Sequence, residues 1–144
     1  MAVYACSDLH GMMDAYKAIK SLLKSEDRVY FLGDAGDRGP ESWELIRHIY
    51  SDPQFIYMKG NHEDMLVKAF FEQMEEDCRS HREMDLWFWN GGQPTSNGMG
   101  CDKVKEVINT VNKLSLLPLT AEYVNKNGEL IGKYFKKHLP PSEL

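Results

Sequence analysis

The sequence predicts an α/β fold built on a parallel β-sheet. Three short apolar segments, each followed at once by a polar cluster, have the pattern of buried strands. These segments are Val3–Cys6, Val29–Leu32 and Phe55–Met58. The clusters recur at a nearly constant interval, since Asp8 and Asp34 are 26 positions apart and Asp34 and Asn61 are 27 apart. That interval is close to one strand–helix–strand unit, and parallel strands end at one edge of their sheet, so we expect the clusters to meet in one crevice.

Apolar residues at helical spacing predict a helix after each strand. The first helix follows Gly11 and ends near Ser25. The second has Pro40 in its first turn and stops at Ser51-Asp52-Pro53. The third follows Asn61 and fades into a charged, solvated run. The inner faces predicted for these helices are Met13, Tyr16, Ile19, Leu22 and Leu23, then Trp43, Ile46, Ile49 and Tyr50, then Met65, Leu66, Ala69 and Phe70.

The second half of the chain has weaker patterns. An aromatic-rich segment, Met84–Trp89, leads to a turn at Asn90-Gly91-Gly92. Asp102 is a candidate cap for a further helix. The inner stripe of that helix is Val104, Val107, Ile108, Val111 and Leu114. Leu116–Val124 is expected to be a loop followed by a strand, and Asn125–Gly128 a turn; Glu129–Leu144 has no clear period.

Length and composition predict one domain, 1–144, of the ordinary globular class. Seventeen basic and 22 acidic residues give a net charge of −5, which disfavours general binding to nucleic acid or to an anionic membrane surface. The sequence has no apolar run of membrane-spanning length and no basic-then-apolar start. The cysteines Cys6, Cys78 and Cys101 form no CxxC pair, so free thiols in a cytoplasmic protein are expected.

The polar clusters combine metal ligands with groups that act on phosphate. Asp8 and His10 are two positions apart at a strand end, so their side chains point to the same side. The next cluster adds a further carboxylate, that of Asp34. These groups suit manganese, iron or zinc, and Asp34 is placed to bridge two ions, the second also held by the amide of Asn61. Two such ions activate a shared water for attack on phosphorus.

Three further residues complete the predicted site. His62 is the candidate general acid for the leaving oxygen, and Asp37 is the candidate partner that orients its ring. Arg38 offers a planar set of donors for phosphoryl oxygens. Each cluster alone is explained as well by a turn, a surface ion pair or a helix cap, but the three together, in order and at strand ends, favour a functional site. His48 and His81 are expected to be structural or exposed, and Trp87 and Trp89 to lie in the core or a pocket wall.

The motifs resemble those of the calcineurin-like metallophosphoesterases. The matching segments are Asp8-Leu9-His10-Gly11, Gly33-Asp34-Ala35-Gly36-Asp37-Arg38-Gly39 and Gly60-Asn61-His62-Glu63. The Asp-Arg-Gly and Asn-His-Glu forms resemble the serine/threonine protein phosphatase branch. Trp89–Gly92 and Leu117-Pro118-Leu119 resemble its small bacterial and phage members, and the resemblance covers about residues 2–124.

The resemblance implies an α/β/β/α sandwich and a two-metal phosphatase, commonly manganese-dependent. Carried over by position, it implies that Asp8, His10 and Asp34 hold the first ion and that Asp34 and Asn61 hold the second. Arg38 then binds phosphate, and His62 with Asp37 forms the acid dyad. A phosphorylated protein or a small phosphate ester is the implied partner.

The chain departs from this family after Leu119. No His-Ala-Gly segment follows, and the remaining histidine, His138, matches neither of the family's later histidine motifs. We therefore expect an incomplete sandwich whose second sheet is largely missing, an atypical tail at 125–144, and partial or absent metal occupancy. A truncated chain, a frameshifted gene and a natural minimal relative all fit this pattern. A sheet that lacks its second layer exposes an apolar face, so we expect self-association, with a homodimer covering that face.

Three functions remain open from the sequence. The first is hydrolysis of phosphoserine, phosphothreonine or small phosphate esters. The second is a catalytically silent remnant that acts as a binding module or has no activity. The third is hydrolysis of dinucleoside polyphosphates, against which Glu63 argues mildly because those relatives tend to have aspartate there.

Overall fold

The computed structural model describes residues 1–75 and 79–120, which form a three-stranded parallel sheet with helices packed on it. The strands are β1 (Val3–Cys6), β2 (Arg28–Phe31) and β3 (Phe55–Tyr57), in the order β1-β2-β3. Ala5 pairs with Tyr30, and Tyr30 pairs with Ile56 on the other side. The three predicted strands and their parallel arrangement are confirmed: β1 has the predicted bounds, and the ends of β2 and β3 differ from the prediction by at most one residue.

Six helices accompany the sheet in the described part of the chain. They are α1 (Met13–Leu22), α2 (Ser42–Ser51), α3 (Asn61–Met74), α4 (Arg82–Trp89), α5 (Gln93–Met99) and α6 (Val104–Ser115). Most of the apolar positions predicted for the inner faces are buried in one core with β2 and β3. Leu22 is an exception: it is 81% exposed because α1 ends there rather than near Ser25.

Helix α2 begins later than predicted. Pro40 lies in the preceding loop, and the helix starts at Ser42. The loop before the helix is packed closely against its neighbour: a Cβ at Gly39 would lie 2.0 Å from the carbonyl oxygen of His10. The Ser42 hydroxyl donates to the carbonyl of Gly39 at 2.7 Å and closes this corner.

Helices α4 and α5 flank the predicted turn at Asn90-Gly91-Gly92. Helix α5 was not expected, since its sequence Gln-Pro-Thr-Ser-Asn-Gly-Met has little intrinsic helix propensity. Tertiary contact holds it in place: a Cβ at Gly98 would lie 2.6 Å from Cβ of Trp43 on α2. Trp87 on α4 is buried as expected. Trp89 is 89% exposed and so lies outside the core, but it borders an open pocket with Arg82 and Leu86, in agreement with the pocket-wall alternative.

Asp102 is not the cap of α6. Its side chain instead accepts hydrogen bonds from Nε1 of Trp43 at 2.7 Å and from Arg47 at 2.8 Å on α2, and α6 begins two residues later. Val107, Val111 and Leu114 are buried as predicted, whereas Val104, in the first turn, is 74% exposed.

A buried glutamate joins the end of α3 to the start of α4. The two carboxylate oxygens of Glu72 accept the backbone N–H groups of Glu83 and Met84 at 3.1 and 3.0 Å. These N–H groups lie in the first turn of α4, where no partner exists within the helix. The contact anchors α4 beside α3, and this fixes the position of Trp87.

After α6 the chain returns to the sheet beside β3. Lys59 and Leu119 form an isolated parallel bridge, with Lys59 N–H donating to the carbonyl of Pro118 at 2.8 Å. Residues 1–75 and 79–120 contain a single sheet, in agreement with an incomplete sandwich. The turn expected at 125–128, the tail, His138 and Cys78 lie outside the described residues.

Strand β1 forms an edge of the sheet and carries exposed apolar side chains. Val3 is 38% and Tyr4 50% exposed, and Tyr4 borders an apolar groove with Leu22 and Leu23. The homodimer expected to cover this side of the sheet stays a prediction. Among the helices described, none has the length and apolar character that crossing a membrane requires.

Candidate metal and phosphate site

The site is formed where the three strands end, by loops that are hydrogen-bonded to one another. Asp8 N–H donates to the carbonyl of Gly33 at 3.0 Å, and His10 N–H donates to that of Asp34 at 3.1 Å. The second and third loops are in direct backbone contact, since a Cβ at Gly33 would lie 2.2 Å from the nitrogen of Gly60. These interactions bring all seven site residues predicted from the sequence to one edge of the sheet.

Five of those residues have a left-handed backbone, which side-chain-bearing residues rarely adopt. They are Asp8 (φ 58°), His10 (39°), Asp34 (63°), Asp37 (69°) and Arg38 (68°). In the described part of the chain these are all the non-glycine residues with positive φ. Backbone strain is therefore concentrated at the predicted site, as is common at functional sites.

Asp8, His10 and Asp34 fit a divalent metal ion. Each offers one ligand atom, and these atoms lie within 4.8 Å of one another. Nε2 of His10 is 3.4 Å from Oδ1 of Asp8, while its Nδ1 donates to the carbonyl of Gly36 at 2.8 Å. That hydrogen bond places the ring proton on Nδ1 and leaves the Nε2 lone pair free to bind a metal, as is usual for histidine ligands.

The two carboxylates of this group have different environments. The hydroxyl of Ser7 donates to Asp8 at 2.5 Å and lowers the pKa of that carboxyl. Burial raises the pKa of Asp34, although the backbone N–H of His62 donates to its Oδ1 at 2.9 Å. A cation beside Asp34 would offset the cost of burying its charge, so the environment of Asp34 is also consistent with a metal ligand.

Asn61 lies beside Asp34 at the start of α3. With its NH₂ group turned toward Asp34, the amide nitrogen is 3.1 Å from both carboxylate oxygens. Asn61, which was predicted to hold a second metal ion, thus lies next to Asp34, which was predicted to bridge the two ions.

His62 and Asp37 form a buried pair. Nδ1 of His62 lies 2.8 Å from Oδ2 of Asp37 and donates to it, because the carboxylate can only accept. This hydrogen bond raises the pKa of His62, against the opposing effect of burial. The His62 ring also meets the ring of His10 edge to face, with 4.7 Å between the centroids, so the pair adjoins the candidate metal ligands.

The guanidinium of Arg38 is available to an anion. Arg38 is exposed, and its side chain makes no hydrogen bond or ion pair with any residue in 1–75 or 79–120. Its backbone N–H donates to the carbonyl of Gly91 at 2.8 Å, and its stem lies on Gly91, where a Cβ would be 2.7 Å from Cγ of Arg38. The turn between α4 and α5 therefore contacts the backbone and the aliphatic stem of Arg38 and leaves its guanidinium exposed.

Glu63 has a role in the site that the sequence analysis did not assign. It is fully buried, and both its oxygens accept the backbone N–H of Asp34, at 2.7 and 2.9 Å. The hydroxyl of Tyr57 adds a third hydrogen bond at 3.1 Å, and burial raises the pKa of Glu63 to about 7. The sequence did offer one indication of this role: Glu63 directly follows His62 and lies on the inner face of α3.

Trp87 and Thr95 also contact the site, through the carboxylate of Asp37. Both were missed as site residues. Thr95 is 58 positions from Asp37 in a segment without a clear pattern, and nothing in the sequence indicates the contact.

Comparison with known proteins agrees with this geometry. The family model for calcineurin-like phosphoesterases matches residues 1–141. A symmetrical bis(5'-nucleosyl)-tetraphosphatase of Pseudomonas fluorescens (strain SBW25) is 36% identical over 73 residues, which are 48% of this chain and 26% of that protein. Serine/threonine-protein phosphatase 2 of Escherichia coli (strain K12) is 28% identical over 131 residues, which are 87% of this chain and 54% of that protein. The alignments thus leave much of each relative unmatched.

A solved metallophosphoesterase from Sphaerobacter thermophilus has a similar fold. It superposes with a TM-score of 0.51 and 19% identity, covering 81% of this chain and 40% of that one. The sheet and helices described above therefore have the metallophosphoesterase fold.

Proposed function

This chain belongs to the calcineurin-like phosphoesterase family, and we propose that it hydrolyses phosphate monoesters with the help of divalent metal ions. The observation that carries the proposal is the convergence of a three-residue ligand group, a buried His–Asp pair and an exposed arginine at one sheet edge. Asp8, His10 and Asp34 would hold one ion, and Asp34 with Asn61 a second, for which manganese, iron or zinc is suitable. Such ions supply an activated water and polarise the phosphoryl group.

The residues of the chain supply binding and proton transfer. Arg38 would bind phosphoryl oxygens, because its exposed guanidinium offers several donors in one plane. His62 would protonate the leaving oxygen through Nε2, since Asp37 engages Nδ1. The hydrogen bond to Asp37 favours the protonated imidazole, which is the form that a general acid requires.

We propose phosphoserine and phosphothreonine in proteins as the leading substrates. The support is the similarity to serine/threonine-protein phosphatase 2, which extends over 87% of this chain. Dinucleoside polyphosphates are the second candidate, because the tetraphosphatase similarity is higher in identity but limited to 48% of the chain. A phosphothreonine peptide and diadenosine tetraphosphate, compared at equal concentration, would distinguish the two.

The decisive experiment is hydrolysis of p-nitrophenyl phosphate with added manganese, with His62→Ala as the test variant. We expect metal-dependent turnover and a loss of about 10²- to 10⁴-fold in His62→Ala, the usual contribution of general acid catalysis. His48→Ala is the matched control, because His48 is exposed on α2, where it bonds to the carbonyl of Glu44 and its ring meets that of Tyr16, and it contacts none of the predicted site residues in 1–75 or 79–120. If folded wild-type protein shows no more turnover than His62→Ala, the proposed monoester hydrolysis is overturned. If diadenosine tetraphosphate is not hydrolysed either, a silent binding module becomes the better description.

A further inference from the structure

Thr95 binds the main chain and the side chain of Asp37 at the same time. Its hydroxyl donates to Oδ1 of Asp37 at 2.6 Å and accepts the backbone N–H of Asp37 at 2.9 Å. Thr95 is completely buried, and Asp37 is 2% exposed. Asp37 also has a left-handed backbone, so its N–H lies outside any regular ladder and depends on this hydroxyl.

Trp87 holds the same carboxylate from a second direction. Its indole Nε1 lies 3.0 Å from both Oδ1 and Oδ2 of Asp37. The ring is confined by the turn after α4, since a Cβ at Gly92 would lie 2.6 Å from the Trp87 ring. The donor therefore has little freedom to follow the carboxylate if the carboxylate turns.

The hydrogen-bond donors around the Asp37 carboxylate are distributed so that one of its oxygens, Oδ2, faces His62. Oδ1 receives the hydroxyl of Thr95, Oδ2 receives Nδ1–H of His62 at 2.8 Å, and the indole N–H lies between them. Both Thr95 and Trp87 are neutral, so they satisfy a buried carboxylate without adding a positive charge that would compete with a charged imidazole. A lysine or arginine in either place would weaken the pairing of Asp37 with His62.

We propose that Thr95 and Trp87 are positioning residues, which hold the Asp37 carboxylate in the orientation that directs His62 toward the substrate. The expected effect of these two residues on the reaction rate rests on the proposed hydrolysis. Their expected effect on the Asp37–His62 hydrogen bond does not depend on the proposed function. It gives the α4–α5 segment a part in catalysis although neither residue touches the substrate.

The first test compares Thr95→Val with Thr95→Ser. Valine keeps the shape of threonine and removes the hydroxyl, whereas serine keeps the hydroxyl. We expect kcat for p-nitrophenyl phosphate to fall roughly 10- to 100-fold in Thr95→Val, the effect of a misplaced catalytic group, with KM little changed. Thr95→Ser should recover most of the loss, which a general packing role would not explain.

A matched control is available on α6. The hydroxyl of Thr110 donates to the carbonyl of Glu106 one turn earlier on α6, so Thr110→Val makes the same chemical change without touching Asp37. Its kcat and KM should equal those of the wild type. If Thr95→Val does not fold, Trp87→Phe tests the same role, because it removes the indole N–H and keeps an aromatic ring.

The second test does not depend on activity. In the metal-free protein, the Nδ1 proton of His62 should give a downfield proton NMR signal, which His62→Ala removes and thereby assigns. The signal should stay in Thr95→Ser and shift or broaden in Thr95→Val. If wild-type protein hydrolyses nothing but the signal responds in this way, the proposed function fails and the positioning role stands. If Thr95→Val keeps both the wild-type kcat and the wild-type signal, the positioning role is overturned.

Discussion

Gly91 supports the aliphatic stem of Arg38, and the two residues are also joined by a backbone hydrogen bond of 2.8 Å. Gly91 has φ 98°, and a Cβ there would lie 2.7 Å from Cγ of Arg38. An alanine at position 91 is therefore strained in itself and displaces the arginine. From this contact we expect a turn far along the chain to affect the predicted phosphate site.

We expect Gly91→Ala to reduce kcat/KM for p-nitrophenyl phosphate by roughly 10- to 100-fold, because hydrogen bonds to a charged group contribute about 1.5–3 kcal/mol. Steady-state kinetics and a phosphate inhibition constant measure the effect. Gly100→Ala is the control, since Gly100 has a helical backbone and its nearest neighbour would be 3.4 Å away. Equal kinetics for the two variants would show that Gly91 does not support Arg38.

Glu63→Gln should weaken metal binding without a direct contact to the metal. The variant replaces one of the two oxygens that accept the Asp34 N–H by an NH₂ group and removes the negative charge of the acceptor, so the backbone that carries the Asp34 carboxylate is held less strongly. Losses around a metal ligand typically cost about 10- to 100-fold in affinity, and titration calorimetry with manganese measures this.

Glu72→Gln is the matched control for that experiment. Glu72 is also a buried glutamate that accepts two backbone N–H groups, but it lies at the α3–α4 junction. We expect it to lower the melting temperature and to leave manganese affinity within error of the wild type. A comparable loss of affinity in both variants would assign the effect of Glu63→Gln to general destabilisation.

Removal of metal should lower stability. A ligand that binds only the folded state at 100 times its Kd adds about 2.7 kcal/mol to the free energy of unfolding, so the melting temperature should rise with manganese and fall with a chelator. Asp8→Asn should reduce this rise, and asparagine tolerates the left-handed backbone at position 8. Asp102→Asn should keep the full metal-dependent rise, because Asp102 pairs with Trp43 and Arg47 on α2 and is not one of the three grouped ligands. An unchanged rise in Asp8→Asn would remove Asp8 from the ligand set.

The free energy of unfolding should fall in acid partly through Asp52. Burial raises the pKa of this carboxyl, but hydrogen bonds from Tyr16 at 2.6 Å and from Lys20 outweigh it, so the pKa is lowered on folding. The resulting stabilisation is complete above the unfolded pKa of about 4 and is lost as pH falls through the lower, folded value.

Urea unfolding at pH 7 and at pH 2–3 measures this contribution. Asp52→Asn should destabilise the protein at pH 7, and the difference from the wild type should shrink in acid. Tyr16→Phe should show a smaller difference of the same sign. A gap between wild type and Asp52→Asn that is constant with pH would contradict the role of the Asp52 charge.

The sheet and the site loops were predictable because their signals are local. Each strand is a short apolar run, and each loop follows its strand directly, so the parallel topology brings Asp8, Asp34 and Asn61 together without further information. Helix α5 was not predictable, because it depends on contact with Trp43 and not on its own propensity. Asp102 was assigned to the wrong partner for a similar reason: local spacing indicated a cap, whereas the structure pairs it with α2.

The residues that support the site from other elements could not be predicted from local sequence patterns. Thr95 reaches Asp37 across 58 positions, and Glu63 accepts hydrogen bonds from the backbone N–H of Asp34 and from the hydroxyl of Tyr57. Such contacts depend on packing between elements, which a single sequence does not reveal.

The five left-handed residues of the site have a consequence for protein engineering. Such a backbone costs on the order of 1–3 kcal/mol at a residue with a side chain, and the cost is larger for Arg38 than for aspartate or histidine. Arg38 bears this cost with a side chain that makes no hydrogen bond or ion pair in residues 1–75 or 79–120, so selection for heat resistance alone would favour glycine there. Heat-resistant clones of that kind would gain melting temperature by discarding the arginine, so a screen for improved variants must select for turnover as well.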